Sequence, residues 1–295
     1  MTPSIIASID QWQRRHPVAA FGVAVIRKGG DDQAGALAGL VAYFAFLAIF
    51  PLLLVLVTVA GWALVDHPDL RDRLLESALS QFPVVGTDLR ANVGTIDGSG
   101  VVVALGLLAA LWAGLGLGRG LQRAFDTVWA VPVSERPLFV AARLRSLAVV
   151  AILGTTLVIG SGAAALLAGV GGASAPSRIA GAVVTIVIVL AALLVLFEVL
   201  SPQEPWSTLW PGALVATVGW LGLQLLGAWF VARVVGRAGN TYGVFAIVIG
   251  LLVWLSLLAR LLVVAAEVNV VRARHLWPRS LLPPHPTARR RGRQP

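Results

Sequence analysis

Residues 179–197 read IAGAVVTIVIVLAALLVLF, a run without any charged side chain. An apolar helix of about 20 residues crosses the hydrocarbon core of a bilayer, so this run is long enough to span a membrane. Five further runs also lack Asp, Glu, Lys and Arg, and they occupy residues 35–64, 98–118, 146–177, 205–232 and 238–259. We therefore predict an all-α fold, a polytopic membrane bundle of six transmembrane helices with interfacial amphipathic helices beside it.

The composition also indicates a membrane protein. Hydrophobic residues make up 58% of the 295 residues and charged residues 13%, and the mean hydropathy is +0.85, which is outside the range of soluble domains. We expect one integral domain at 35–271, with a cytoplasmic amphipathic segment at 1–34 before it and a basic, disordered cytoplasmic tail at 272–295 after it. The spans are expected at about 36–64, 99–118, 147–170, 179–199, 210–232 and 243–266.

The positions of the basic residues predict the orientation. The net charge of +9 would also suit a nucleic-acid-binding protein, but the charges flank the apolar runs, where lipid headgroups and the positive-inside rule place them. With both termini in the cytoplasm, 16 of the 23 Lys and Arg residues lie in cytoplasmic segments, six lie outside, and Arg260 lies within the last span. We therefore expect a multi-pass protein of the plasma (inner) membrane, without nucleic acid as a partner.

A reporter fused to the C-terminus tests this orientation. We expect the reporter to remain in the cytoplasm, because the basic segment that follows the last span resists export under the positive-inside rule. An exported C-terminal reporter would contradict the N-in, C-in arrangement.

Four arginines between the second and third runs are candidate contacts to lipid headgroups, namely Arg119, Arg123, Arg143 and Arg145. They alternate with apolar and aromatic side chains, as in interfacial segments that touch anionic lipid. RNA binding would use the same residue types, and the membrane context favours lipid. The glycines at 114, 116, 118 and 120 lack a preceding strand and a Lys-Ser/Thr step, so we expect tight helix packing there and not a phosphate-binding loop.

Four polar residues inside or at the ends of the spans form a candidate intramembrane network, namely Glu198, Arg260, Glu267 and Asn269. Charges are costly within the hydrocarbon and tend to be paired. Arg260 and Glu267 share one helix face but lie about 10 Å apart along its axis, so each needs another partner or water. Glu198 is the candidate partner of Arg260. One hypothesis is an Arg260–Glu198 or Arg260–Glu267 network that lines a water-reachable inner cavity; the alternative is a structural ion pair, or an Arg260 side chain that snorkels to the headgroups.

Two further features could mark moving parts. Pro51 lies within the first run, where proline removes a backbone hydrogen bond and kinks a helix. Residues 65–97 carry apolar side chains at helical spacing between Pro68 and Pro83, which predicts an amphipathic helix on the outer face. That helix could act as a lid for amphiphiles or form a packed cap on the bundle.

Three segments resemble one known family. Residues 34–53, AGALAGLVAYFAFLAIFPLL, resemble the opening helix of the YihY/BrkB family, the virulence factor BrkB-like membrane proteins formerly labelled ribonuclease BN. Residues 118–129, GRGLQRAFDTVW, are similar to the signature that follows that family's second span, and residues 242–271, YGVFAIVIGLLVWLSLLARLLVVAAEVNVV, are similar to its closing helix. Glu267 and Asn269 fall on the family's terminal Glu-x-Asn position, whereas two alanines replace the Leu-Gly often found before it.

The resemblance implies a six-helix inner-membrane protein linked to envelope integrity or serum resistance, with a proposed role in moving lipids or related amphiphiles. It also carries an older label as a tRNA-processing ribonuclease. A metal-dependent nuclease needs clustered ligands, but the chain has no cysteine and its four histidines are scattered, at His16, His67, His275 and His285. We expect no catalytic, cofactor-binding or metal-binding residue and no cofactor.

The leading functional hypothesis is non-enzymatic, with the protein handling or translocating lipids or other amphiphiles. Its expected partners are membrane lipids with anionic headgroups at the cytoplasmic face. A rival is a structural protein that organises envelope partners, in which the polar groups only hold the bundle together. A third is a permease subunit that depends on a separate ATPase, since the chain lacks a nucleotide motif. The glycine-rich spans would also permit a homo-oligomer.

Overall fold

The computed structural model describes residues 10–12, 15–63, 69, 72, 100–170, 175–230 and 244–279, and within these ranges it omits the side chains of 50–63, 100–103, 161–170, 175, 177–178, 228–230 and 244–247. Two of the expectations above lie largely outside these residues, since the segment 65–97 is described only at residues 69 and 72, and the tail expected at 272–295 only as far as residue 279. The side chain of Pro51 is also not described, so the kink expected there stays a prediction.

The described chain is helical and contains no strand, which confirms the predicted all-α fold. The helices are α1 (Pro17–Asp31), α2 (Ala34–Ala63), α3 (Gly100–Val128), α4 (Phe139–Val170), α5 (Ala175–Leu200), α6 (Trp206–Phe230) and α7 (Val244–Ala273), with a short 3-10 turn at Val133–Glu135 between α3 and α4.

Five of these helices, α3 to α7, are long and apolar enough to cross a membrane. Helix α1 and the Ala34–Ile49 part of α2 meet this condition as a pair bent by 68°, so the described residues give up to six spans if the pair counts as one. The bend lies at Asp32 and Gln33. Gln33 has a φ of 55°, and a residue in the left-handed region cannot continue a right-handed helix.

The six long helices form a closed ring in chain order. Each of α2 to α7 packs against the next, and α7 packs back against α2. Aromatic and aliphatic side chains fill the centre, where Phe125 of α3 meets Phe197 of α5 edge to face at a centroid distance of 5.1 Å. Many large apolar side chains point outward, Leu108 and Leu225 among them, as expected where the bundle faces lipid and not water.

Helix α1 lies across one end of this ring against α7. Its face with Ala20, Ala24 and Val25 is buried, and this face packs with Val268 and Val271 of α7. One apolar face of the N-terminal segment is therefore buried in the protein, whereas Trp12, Val18 and Ile26 are exposed. We call this end of the bundle the α1 end; it contains α1, the C-terminal ends of α3, α5 and α7, and the N-terminal end of α6.

Glycines on two faces of α3 set its distance from both neighbours. A Cβ atom on Gly118 would lie 2.6 Å from the Cα of Ser146 on α4, and one on Gly114 would lie 2.9 Å from the side chain of Val150. On the other face, the ring of Phe44 on α2 covers Gly116. The contacts confirm the tight helix packing predicted for these glycines, in which small residues let helices approach closely.

Candidate functional site

A cavity of about 530 Å³ opens between α2, α3 and α4. We call it the groove. Its lining combines apolar, glycine and arginine residues, namely Leu40 and Phe44 of α2, Trp112, Leu115, Gly116, Arg119, Gly120 and Arg123 of α3, and Arg143 of α4. Three of the four arginines predicted to contact lipid headgroups therefore line one cavity.

A single face of α3 supplies most of the groove. Trp112, Leu115, Arg119 and Arg123 recur at helical spacing, so they lie in one row along the helix. At a rise of 1.5 Å per residue the row from Trp112 to Arg123 is about 16 Å long. The groove is apolar at the Trp112 end, where Phe44 covers Gly116, and basic at the Arg123 end, nearer the C-terminus of α3.

Polar contacts between α3 and α4 hold Arg143 at the groove. Gln122 donates hydrogen bonds from Nε2 to the carbonyl oxygen of Ala142, at 3.0 Å, and to Oγ of Ser146, at 2.8 Å. Ser146 is fully buried against Gly118. Because these contacts are made by the residues around Arg143, they fix the part of α4 from which its side chain extends.

The three groove arginines are not neutralised within the described part of the protein. No ion pair there includes Arg119, Arg123 or Arg143. The guanidinium of Arg143 lies 4.7 Å from the ring centroid of Phe139, and its buried Nε has no hydrogen-bond partner among the described residues. The fourth predicted arginine, Arg145, does not line the groove and instead interacts electrostatically with Asp126.

A second polar cluster lies at the α1 end of the bundle, around the single lysine of the chain. Lys28 of α1 approaches Glu267 of α7 to 2.8 Å, as an ion pair and not as a hydrogen bond of regular geometry. The same ammonium donates to the carbonyl oxygen of Val128, at 2.7 Å, and pairs with Asp32. The ammonium therefore contacts oxygen atoms of three residues, two through hydrogen bonds and Glu267 through the ion pair. The side chains of Lys28 and Glu267 are 9% and 1% exposed, so the pair joins α1, α3 and α7 inside the protein.

Asn269, two residues after Glu267 on α7, joins this helix to α6. Its Oδ1 accepts a hydrogen bond from the backbone N–H of Gly212, at 2.6 Å, and its Nδ2 donates to the carbonyl oxygen of Leu209, at 3.1 Å. Pro211 lies between these two residues within α6, and a proline inside a helix disturbs the backbone hydrogen bonds of its turn. An amide side chain can replace them because it both donates and accepts.

The structure does not bring the predicted intramembrane network together. Glu267 meets Lys28, Asn269 meets α6, and Glu198 is half-buried at the end of α5. Arg260 is exposed, and within the described residues no ion pair joins it to either carboxylate. Arg260 does not reach Glu267 because about 10 Å along α7 separate positions 260 and 267. Helix α1 also packs over Glu267, so this carboxylate pairs with Lys28.

Lys28 is a site residue that was not predicted from the sequence, where it counted only as a topological charge of the N-terminal segment. A signal for it was present. Ala20, Ala24, Val25 and Lys28 recur at helical spacing, and this places Lys28 on the apolar face of α1. A charge on an apolar face predicts a buried partner.

Within the described residues, no three His, Asp or Glu side chains form a group that could hold a metal ion.

Comparison with known proteins gives one family and two relatives. The profile of the family described as "Virulence factor BrkB" matches residues 25–289. The "Putative ribonuclease-like protein YfkH" of Bacillus subtilis (strain 168) is 26% identical over 251 residues, which cover 78% of this chain and 86% of that protein. The "Inner membrane protein YhjD" of Escherichia coli (strain K12) is 26% identical over 165 residues, about half of each chain. No solved structure matches at a significant level.

Proposed function

This chain belongs to the virulence factor BrkB family of membrane proteins, and from this premise we propose that it handles or translocates lipids or other amphiphiles in the plasma (inner) membrane of the cell. The proposed activity is not enzymatic. The word ribonuclease in the name of YfkH describes that relative.

The groove is the observation that carries this proposal. It has an apolar end beside Phe44 and Trp112 and a basic end with Arg119, Arg123 and Arg143. A membrane lipid has the same division, with an apolar chain and an anionic head, and arginine is the side chain that best matches phosphate oxygens. The Trp112 side chain is 64% exposed, so the apolar end of the groove is open on the outside of the bundle, where lipid chains lie.

Transfer of lipid between leaflets tests the proposal. The purified full-length protein is reconstituted in liposomes that carry a fluorescent phospholipid, and an impermeant quencher reports the lipid that reaches the outer leaflet. We expect transfer above that of empty liposomes. The triple variant Arg119→Gln, Arg123→Gln, Arg143→Gln should slow transfer by about tenfold or more, because each charge-assisted hydrogen bond contributes about 1.5–3 kcal/mol.

The matched control is Arg145→Gln, since Arg145 lies two residues from Arg143 on the same helix but outside the groove. It should transfer lipid like the wild type. Equal loss in the triple variant and in this control would mean that bulk positive charge, and not the groove, is responsible. Transfer no faster than in empty liposomes, with a folded protein shown by size-exclusion chromatography, would contradict the proposed function.

The rival role, a structural protein of the envelope, is favoured by a different observation. The ion pair of Lys28 with Glu267 and the hydrogen bonds of Asn269 lie inside the bundle and connect helices, as groups that only stabilise the fold would do. Anionic lipid remains the partner that the groove favours, and self-association or envelope protein partners stay predictions. The glycines of α3 support intramolecular packing, since their faces already contact α2 and α4.

A further inference from the structure

We infer that the groove selects lipids whose headgroup is a terminal phosphomonoester, as in phosphatidic acid, over lipids whose phosphate is a diester. The inference rests on the proposed function and names the chemical class of its ligand. The observations that carry it are the number of arginines at the Arg123 end of the groove, the absence of a carboxylate among the described lining residues, and one unsatisfied donor.

The charge of the basic end exceeds that of a phosphodiester. Among the described residues, the groove is lined by three arginines and by no acidic residue, and arginine stays protonated in proteins. A phosphodiester head such as phosphatidylglycerol carries one negative charge, whereas a phosphomonoester carries about −1.5 to −2 near neutral pH. A dianion therefore neutralises more of the charge that Arg119, Arg123 and Arg143 bring together.

The number of oxygens also favours a monoester. A guanidinium binds phosphate through a planar fork of N–H donors, in a bidentate manner. A terminal phosphomonoester presents three unesterified oxygens, one more than a diester. Arg119 and Arg123 extend from successive turns of α3, about 6 Å apart along the helix, and Arg143 reaches the same cavity from α4. Three guanidinium groups, carried by two helices, can thus each bind a different oxygen of a phosphomonoester headgroup.

The donor atom Nε of Arg143 is an independent indication of an acceptor at this place. It is buried and has no hydrogen-bond partner within the described residues, although buried donors in native proteins are nearly always paired. The ring of Phe139 covers this guanidinium at 4.7 Å and limits its contact with water. An anionic oxygen in the groove would accept a hydrogen bond from Nε. That hydrogen bond would be stronger where water is excluded.

The apolar end makes a lipid the occupant and not free phosphate. Leu115 and Trp112 extend the groove along α3 by about 10 Å beyond Arg119, and Phe44 lines it from α2. Burial of apolar chain on these residues adds binding free energy in proportion to the area covered, which a soluble phosphate cannot gain. The lipid is thus expected to lie along α3 with its head at Arg123 and Arg143 and a chain toward Trp112.

Competitive lipid retention on the full-length protein tests the inference. The detergent-purified protein is captured on resin with an equal mixture of dioleoyl phosphatidic acid, phosphatidylglycerol and phosphatidylcholine, and retained lipids are measured by mass spectrometry. We expect phosphatidic acid to be enriched over phosphatidylglycerol by about tenfold, the scale of one charge-assisted hydrogen bond. The triple glutamine variant should lose this preference, and Arg145→Gln should keep it.

Two further arms test the geometry and the source of the phosphate. Arg143→Lys keeps the charge but removes the Nε donor, so the preference for phosphatidic acid should fall several-fold; an unchanged preference would overturn recognition by the guanidinium fork. Inorganic phosphate at the same concentration should leave the retained phosphatidic acid in place. Equal displacement by inorganic phosphate would mean a site for free phosphate and would overturn the lipid assignment.

The outcomes separate this inference from the proposed function. If the three lipids are retained equally and all are lost in the triple variant, the groove binds lipid without selecting the head, and only the inference fails. If the wild type and the triple variant retain the same small amount of every lipid, the inference and the proposed function fail together. Size-exclusion profiles of each variant show that the protein compared is folded.

Discussion

Lys28→Leu should lower the free energy of unfolding by about 3–5 kcal/mol, the usual cost of removing one partner of a buried ion pair. Glu267 would remain buried, with 1% of its side chain exposed, and would lose the ammonium that compensates its charge. The carbonyl oxygen of Val128 would lose its hydrogen bond from Lys28 as well. Unfolding with sodium dodecyl sulfate in mixed micelles, followed by circular dichroism, measures the change.

The double variant Lys28→Leu, Glu267→Leu distinguishes an unpaired charge from lost packing. Replacement of both partners by apolar residues is often neutral, so the double variant should recover most of the stability that Lys28→Leu loses. The matched control is Asp31→Asn on the same helix, because Asp31 pairs with Arg279 but is 66% exposed. Exposed pairs contribute about 0–1 kcal/mol. A loss from Lys28→Leu no larger than that of the control would mean that the pair is not buried as described.

Gly212→Ala should destabilise the bundle by about 2–5 kcal/mol, through overpacking and the loss of buried hydrogen bonds. A Cβ atom at this position would overlap the backbone carbonyl oxygen of Ala265 and the side-chain amide of Asn269. A backbone carbonyl cannot change rotamer as a side chain can, so α6 and α7 would have to move apart. The bonds of Asn269 to Gly212 and Leu209 would break with that movement.

Gly222→Ala is the control for this change because it makes the same substitution on the same helix. Nothing lies within 4 Å of the Cβ position at Gly222, and an alanine in a helix is more favourable than a glycine by up to about 1 kcal/mol. We therefore expect unchanged or slightly higher stability in the same unfolding assay. Similar behaviour of the two alanine variants would contradict the close approach of α6 and α7.

Part of the candidate site could be predicted from the sequence. The spacing of Arg119 and Arg123 places both on one face of a helix, and the alternating glycines beside them predict close neighbours on two sides. The position of Arg143 could not be predicted in the same way. It depends on how α4 crosses α3, and that crossing is set by Gly118 against Ser146 and by the hydrogen bonds of Gln122.

The predicted network around Arg260 shows the limit of spacing arguments. The sequence places Arg260, Glu267 and Glu198 in or near the spans, and a distance along one helix excludes a direct contact between the first two. It contains no information on which helix covers Glu267. Helix α1 does so because its apolar face packs with Val268 and Val271 of α7, and Lys28 is carried to the carboxylate by that packing.

The sequence by itself determined the membrane class and the all-helical architecture. Both follow from segments taken one at a time, because an apolar run in lipid must satisfy its own backbone hydrogen bonds and does so as a helix. Only the tertiary structure decided that Lys28 lies against Glu267 and that Arg143 joins Arg119 and Arg123 in one groove. Such contacts depend on which faces of distant helices meet, and close packing of small residues, not hydropathy, decides that.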